Sequence, residues 1–307
     1  MTTAPAAMRA RARSAWLFLA PALATLTVVA AWPLARTVFF SLTDATLVHT
    51  SQYRFVGLEN YVSYEDGQWY GLITDSQFLQ SLRNTVLFAV CSVAIEAVLG
   101  VGIALLLNVS FRGRWLLRAA LLVPWAIPTV VSARMWSWML NDQFGIVNDA
   151  LVRTGIIGSP VAWLADPALT MASVIMVDVW KTTPFVSLLV LAALQMAPKD
   201  CYEAARVDGI PPLQVFYRIT LPFIRPALAV AVIFRLLDAM RMFDLVYVMT
   251  GATDATMTLS VFARRELVDF QQVGYGSAAS TLLFLAIALM TLLYIRFVRA
   301  DLEPQHR

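Results

Sequence analysis

The chain has 307 residues, of which 59% are hydrophobic and only 14% charged, and its mean hydropathy is +0.69. Soluble domains carry roughly a quarter of their residues as Asp, Glu, Lys or Arg, so this composition excludes a soluble globular protein and requires a chain embedded in lipid. The net charge of +3 is small and divided between segments, and no basic patch interleaved with aromatics occurs, which excludes nucleic acid as a partner.

Apolar runs near the roughly 20 residues that cross a bilayer lie at 15–40, 84–108, 116–140, 167–196, 226–249 and 277–298. The expected fold class is an all-α membrane protein of six transmembrane helices. Residues 1–14 form a tail, 15–298 one transmembrane domain and 299–307 a second tail. Six crossings put both ends on one side, and the Lys/Arg bias selects which. Arg9, Arg11, Arg13, Arg112, Arg114, Arg118, Lys199, Arg206, Arg218, Arg225, Arg296, Arg299 and Arg307 fall on one face, against Arg36, Arg54, Arg83, Arg153, Arg264 and Arg265 on the other. Both termini are therefore expected to be cytoplasmic.

The run from Trp16 to Phe40 is longer than the apolar core of a signal peptide, so it reads as a retained span, bent or ended near Pro33. Residues 41–83 read as an external loop rich in Tyr and Trp. Glu96 falls near the centre of the second span; a carboxylate there must face other helices. Pro124 and Pro128 are expected to kink the third span. The external segment 141–166 is marked by Gly, Asn and Pro turns, with Trp163 as an interfacial anchor. The fourth span carries the polar run Asp178, Trp180, Lys181, Thr182 and Thr183 at mid-depth, which needs a wet or protein-lined neighbour.

Residues 198–226 are polar and punctuated by proline. Pro198 and Gly209 bound one short helix, Lys199 to Asp208. Pro212 opens a second, carrying Leu213, Phe216, Tyr217 and Thr220 on one face, and Pro222 makes its continuation unfavourable. The fifth span follows at 226–249, with Arg235, Asp238, Arg241 and Asp244 spaced by three along one helical stripe. Cys91 and Cys201 fall at different depths and are not placed to pair.

Glu203, Ala204, Ala205, Gly209, Ile219, Leu221 and Pro222 fill every defined position of the EAA signature, EAA-x3-G-x9-I-x-L-P. In this the chain resembles the membrane subunits of ABC importers. The runs VWKTTPF, FRLLDAMRMFD and YVMTG look like the permeases of disaccharide systems for trehalose and maltose. The resemblance implies the type I ABC importer permease fold in a bacterial cytoplasmic membrane. It implies that Glu203, Ala204, Ala205, Asp208, Gly209, Ile219, Leu221 and Pro222 form a coupling segment docked on a cytoplasmic ATPase pair. A second permease and an external solute-binding protein complete the expected assembly. Two departures stand out: the large external insertion of maltose-type subunits is missing, and Gly251, Ala252 and Thr253 replace a frequent Gly-Gly-Pro.

No G-x-x-x-x-G-K-[ST] occurs, so the chain has no phosphate-cradling loop. ATP and Mg are expected on the partner ATPase, no cofactor on this chain and no metal. Trp180 can stack on sugar C–H surfaces, while Lys181, Thr182, Thr183, Arg235, Asp238 and Arg241 offer partners for hydroxyls. The same charges could instead pair with each other and hold helices together. A phosphate ester or polyol remains open as cargo, since Lys181, Arg235 and Arg241 could serve an anion if Asp238 did not neutralise them. A self-contained carrier would need a relay through Glu96, Asp238 or Lys181. A membrane enzyme would need a cluster of His, Cys or carboxylates, yet the sequence has only His49 and His306 and no catalytic motif.

Overall fold

The computed structural model describes residues 4–48 and 52–302, with side chains from 15–48 and 52–298. His49, His306 and the side chains of the two tails lie outside the described residues. Five helices are long and apolar enough to cross a membrane, or six when one sharply bent pair counts as a single span. Two compact units are built from this chain: one holds the chain up to Asp75 with Ala263–Leu282, the other Ser76–Phe262 and the chain from Leu283 onward.

In the first unit, α1 (Ala4–Leu26) and α2 (Trp32–Phe40) join through a π turn at Thr27–Ala31 into one continuous span, Ala15–Phe40, none of it buried. Pro33 does not end the helix. The Trp32 N–H bonds the carbonyl of Thr27 five residues back, and the wider turn makes room for the following proline ring. The loop beyond α2 contains an antiparallel hairpin of β1 (Ser63–Glu65) and β2 (Gln68–Tyr70), pairing Tyr64 with Trp69. Asp66 and Gly67 both have positive φ, +48° and +82°, the geometry of a tight Asp-Gly hairpin turn. Asn60 anchors the loop by donating to the carbonyls of Ser41 and Thr43, and the Tyr275 hydroxyl donates to Asp75 Oδ2 at 2.9 Å.

The second unit is centred on α3 (Ser76–Asn108), α7 (Pro167–Gln195) and α10 (Leu221–Met240), which pack against one another. Their shared core includes Ala104, Leu107, Val186, Val190, Leu191, Leu194, Ile224 and Ala231. Gly100 sets the approach of α3 to α7, since a Cβ there would lie 2.7 Å from Val186 Cγ1.

Two expectations about proline are corrected. The third span is not a kinked helix but two helices, α4 (Arg114–Ala126) and α5 (Thr129–Met139), set at 95°. Ile127 between them is extended, with φ −74° and ψ 132°, because the ring of Pro128 disfavours helical backbone at the residue before it. Pro124 stays inside α4. Conversely, Pro222 does not stop the helix opened by Pro212: α9 (Pro212–Val215), a π turn at Phe216–Thr220 and α10 run on as one span, Pro212–Met240. The Leu221 N–H reaches the Phe216 carbonyl, the same device that accommodates Pro33.

The fifth span also ends earlier than expected, at Met240, and α11 (Asp244–Thr250) starts anew. Short helices α6 (Ile146–Arg153) and α12 (Leu259–Arg264) flank the long ones, and α8 (Lys199–Val207) lies between α7 and α9. The last helix, α13, covers Val273–Leu302. Asn84 ties α3 to the 254–257 loop by donating to the carbonyls of Asp254 and Met257.

Candidate functional site

The residues between α7 and α10 form a rigid corner with an exposed outer face. Pro198 stands at the N-cap of α8 in an extended conformation, and the helix starts at Lys199 as expected. At the other end Gly209 has φ +68°; its N–H bonds the Arg206 carbonyl and that of Ile210 bonds Ala205. These two bonds make a Schellman closure, which needs a left-handed residue after the helix. Ala205 is buried under the corner, while Glu203, Ala204 and Asp208 face outward. The Tyr202 hydroxyl reaches Thr220 Oγ1 at 3.2 Å and ties α8 to the helix behind it. Ile219 and Leu221 are half-buried and Pro222 is exposed at the far side. Val207, 87% exposed, and Met196, Leu213 and Tyr217 are uncovered apolar side chains in and around the corner.

Inside the second unit, α3, α7 and α10 meet in a charged network. Arg235, 3% exposed, donates from Nε to Glu96 Oε2 at 2.6 Å and from Nη2 to Glu96 Oε1 at 3.0 Å, a two-pronged pair. Nη2 also reaches Asp178 Oδ2 at 2.9 Å and Nη1 reaches Asp238 Oδ2 at 2.8 Å. The Thr182 hydroxyl reaches Glu96 Oε1 (2.8 Å) and, along its own helix, the carbonyl of Asp178 (2.6 Å). Glu96 is fully buried, and Asp178 Oδ1 is buried with no partner among the described residues. The expected stripe on the fifth span is therefore cut short: Arg241 lies just past the end of α10, bonded to Asp238 Oδ1 at 3.5 Å, and Asp244 opens the next helix.

The remaining polar residues of the fourth span are largely occupied. Lys181 Nζ donates to the carbonyl of Ile127 at 2.8 Å, at the C-terminal end of α4 where a cation is favoured by the helix dipole. It thus holds the break between α4 and α5. Thr183 spends its hydroxyl on the carbonyl of Val179. Trp180 remains half-exposed and meets Trp136 edge to face, with centroids 5.4 Å apart. Sequence reasoning named Trp180 but not Trp136, whose spacing from Trp180 is visible only once α5 folds back on α7. It also left Glu96 undivided between packing and transport; its basic partner lies 139 residues away.

A family model described as the binding-protein-dependent transport system inner membrane component matches residues 96–301. The trehalose/maltose transport system permease protein of Thermococcus litoralis is 39% identical over 293 residues, 94% of each chain. The sulfoquinovosyl glycerol transport system permease protein of Agrobacterium fabrum is 36% identical over 285 residues, 92% of this chain and 89% of that one. The trehalose transport system permease protein of Mycobacterium tuberculosis is 34% identical over 291 residues, covering 95% and 90%. In three dimensions the chain is similar to one from the crystal structure of a bacterial alginate ABC transporter in complex with an alginate pentasaccharide-bound periplasmic protein. That match has a TM-score of 0.78 at 21% identity and covers 95% of this chain and 96% of the other.

Proposed function

The chain belongs to the family of binding-protein-dependent transport system inner membrane components and is the membrane-spanning permease of a sugar ABC importer; from that premise we propose that its cargo is a disaccharide of the trehalose or maltose kind. The relatives named for trehalose and maltose, at 39% and 34% identity over nearly the whole chain, support that cargo. In this reading the permease lies in a bacterial cytoplasmic membrane with both termini inside. It works with a second permease, an external binding protein, and an ATPase pair that holds ATP and Mg.

The observation that carries the mechanism is the exposed, rigid corner at α8. Its outer face offers Glu203 to a partner cation and Val207, Leu213 and small Ala204 to an apolar cleft. Its inner face is fixed by Ala205, the Gly209 closure and the Tyr202 bond. A push delivered to α8 therefore reaches α10 through the continuous helix from Pro212 to Met240, and reaches α7 through Pro198. Closure of the ATPases would draw the corner inward and open the path to the binding protein; hydrolysis would return it.

The native cysteine Cys201 on exposed α8 supplies a direct test. A membrane-impermeant maleimide is expected to label it in inside-out vesicles only, and the ATPase is expected to protect it. Glu203→Ala is expected to lower ATPase co-purification and abolish uptake while leaving the membrane domain folded. Labelling from outside, or uphill uptake by this chain without an ATPase, would refute the reading. A second reading, an anionic glycoside or glycerol phosphate as cargo, is favoured by the likeness to the sulfoquinovosyl glycerol permease.

A further inference from the structure

Six ionisable side chains gather where α3, α7 and the end of α10 meet: Glu96, Asp178 and Asp238 against Lys181, Arg235 and Arg241. Each cation has an acceptor. Lys181 is bonded to the Ile127 carbonyl, Arg235 to all three carboxylates, and Arg241 to Asp238. Four of the six are buried. Only Asp238, with half of its side chain exposed, and Arg241, with 69% exposed, remain open.

Their depth decides what they are open to. Arg235 is level with Glu96, well inside the 33 residues of α3. Asp238 lies three residues further along α10, about 4.5 Å by the rise of a helix. A half-exposed charge inside a membrane span cannot face hydrocarbon, so Asp238 faces either water or the second permease of the proposed assembly. Asp238 and Arg241 are the charged groups of this array left open on this chain, and so the ones available to a solute crossing the membrane.

Resting on the sugar-importer reading, we propose that Asp238 is a specificity-determining residue that keeps this path selective for uncharged sugars. Both of its oxygens are in use: Oδ2 accepts from Arg235 and Oδ1 from Arg241. The guanidinium that a sulfonate, phosphate or carboxylate would seek is neutralised before the solute arrives. A neutral sugar loses nothing by this, because its hydroxyls can bond either member of the pair. An anion at Arg241 must displace Asp238 Oδ1, leaving Asp238 only its share of Arg235, which Glu96 and Asp178 also hold.

The test uses the complete importer in proteoliposomes, with binding protein and ATPase identical for every variant. ATP-driven uptake of a labelled neutral disaccharide is measured in sodium sulfate and in sodium chloride of equal ionic strength, and the ratio is taken within each variant. The wild type is expected to give a ratio near one. Asp238→Asn leaves Arg241 uncompensated, and sulfate is expected to depress its uptake about fivefold, the scale of one exposed ion pair. Adding Arg241→Gln to Asp238→Asn is expected to restore the ratio, and Asp238→Glu to preserve it. Should Asp238→Asn not transport at all, retention of radiolabelled sulfate by the purified complex gives the same contrast without turnover. Equal sulfate sensitivity, or equal sulfate retention, in wild type and Asp238→Asn overturns the proposal. A wild-type complex that moves no neutral disaccharide refutes the importer's cargo instead, and sulfate retention still decides the role of Asp238.

Discussion

Replacing Arg235 by methionine keeps an unbranched apolar stem but removes the guanidinium that bonds Glu96 twice, Asp178 once and Asp238 once. Two of those carboxylates are fully buried, and neither can turn to water when its partner is lost. Breaking a buried ion pair from one side costs about 3–5 kcal/mol, because the remaining charge keeps its desolvation penalty without its Coulombic return. At 1.4 kcal/mol per tenfold, that lowers the ratio of folded to unfolded protein a hundredfold or more. The reference is a triple variant, Glu96→Gln, Asp178→Asn and Arg235→Met, in which Arg235 and its two buried carboxylate partners lose their charges together while Lys181 stays on the Ile127 carbonyl. Apolar or neutral replacement of a whole network is often close to neutral, so the triple variant is expected to regain most of the lost stability. Thermal unfolding of the purified complex in detergent, followed by the fluorescence of its tryptophans, reads both. A single Arg235→Met variant as stable as the wild type, or a triple variant worse than the single one, would refute the reasoning. The first would mean that α3, α7 and α10 are held by packing alone.

The other expectations concern close approach, backbone strain and the aromatic face of the path. Gly100→Leu places atoms where Val186 and the backbone of Ser187 already stand and should cost about 1–3 kcal/mol by overpacking, whereas Gly102→Ala on the same helix meets nothing within 4 Å and should leave the melting midpoint within a degree or two. Gly209→Val has open space around it but a φ of +68°, so its cost is strain of about 1–2 kcal/mol confined to the α8 corner; uptake should fall with ATPase co-purification while the membrane domain melts as before. Trp180→Ala should impair uptake with ATPase binding unchanged, and normal transport by this variant would assign Trp180 to packing against Trp136.

Much of this architecture is legible from residues taken locally. The apolar runs locate the first, second, fourth and sixth spans to within several residues at each end, because lipid demands an unbroken apolar stretch of fixed length wherever the chain crosses; the fifth begins well before its apolar run, at Pro212, and the third is broken in two. The corner at α8 is equally local: Gly209 must take the left-handed conformation that ends the helix, and Pro212 opens the next from a backbone it already prefers. The hairpin at 63–70 is local too, turning at an Asp-Gly pair between Tyr64 and Trp69 inside what reads as an external loop.

The prolines show where local reading stops. Pro128 breaks its span at 95°, while Pro33 and Pro222 sit in helices that continue past them. The residue is the same in each case. What differs is whether a wider π turn can form just before the ring, or whether another helix can satisfy the freed backbone, as Lys181 of α7 does for Ile127. Composition and motif alone establish a membrane chain that carries the EAA signature of an ABC importer. Which charges are buried, which are spent on one another and which still face water was decided by the packing of α3, α7 and α10. The reason is physical: the worth of a charge at bilayer depth depends on what stands within about 3 Å of it, and for Glu96, Asp178 and Lys181 those neighbours come from parts of the sequence more than fifty residues apart.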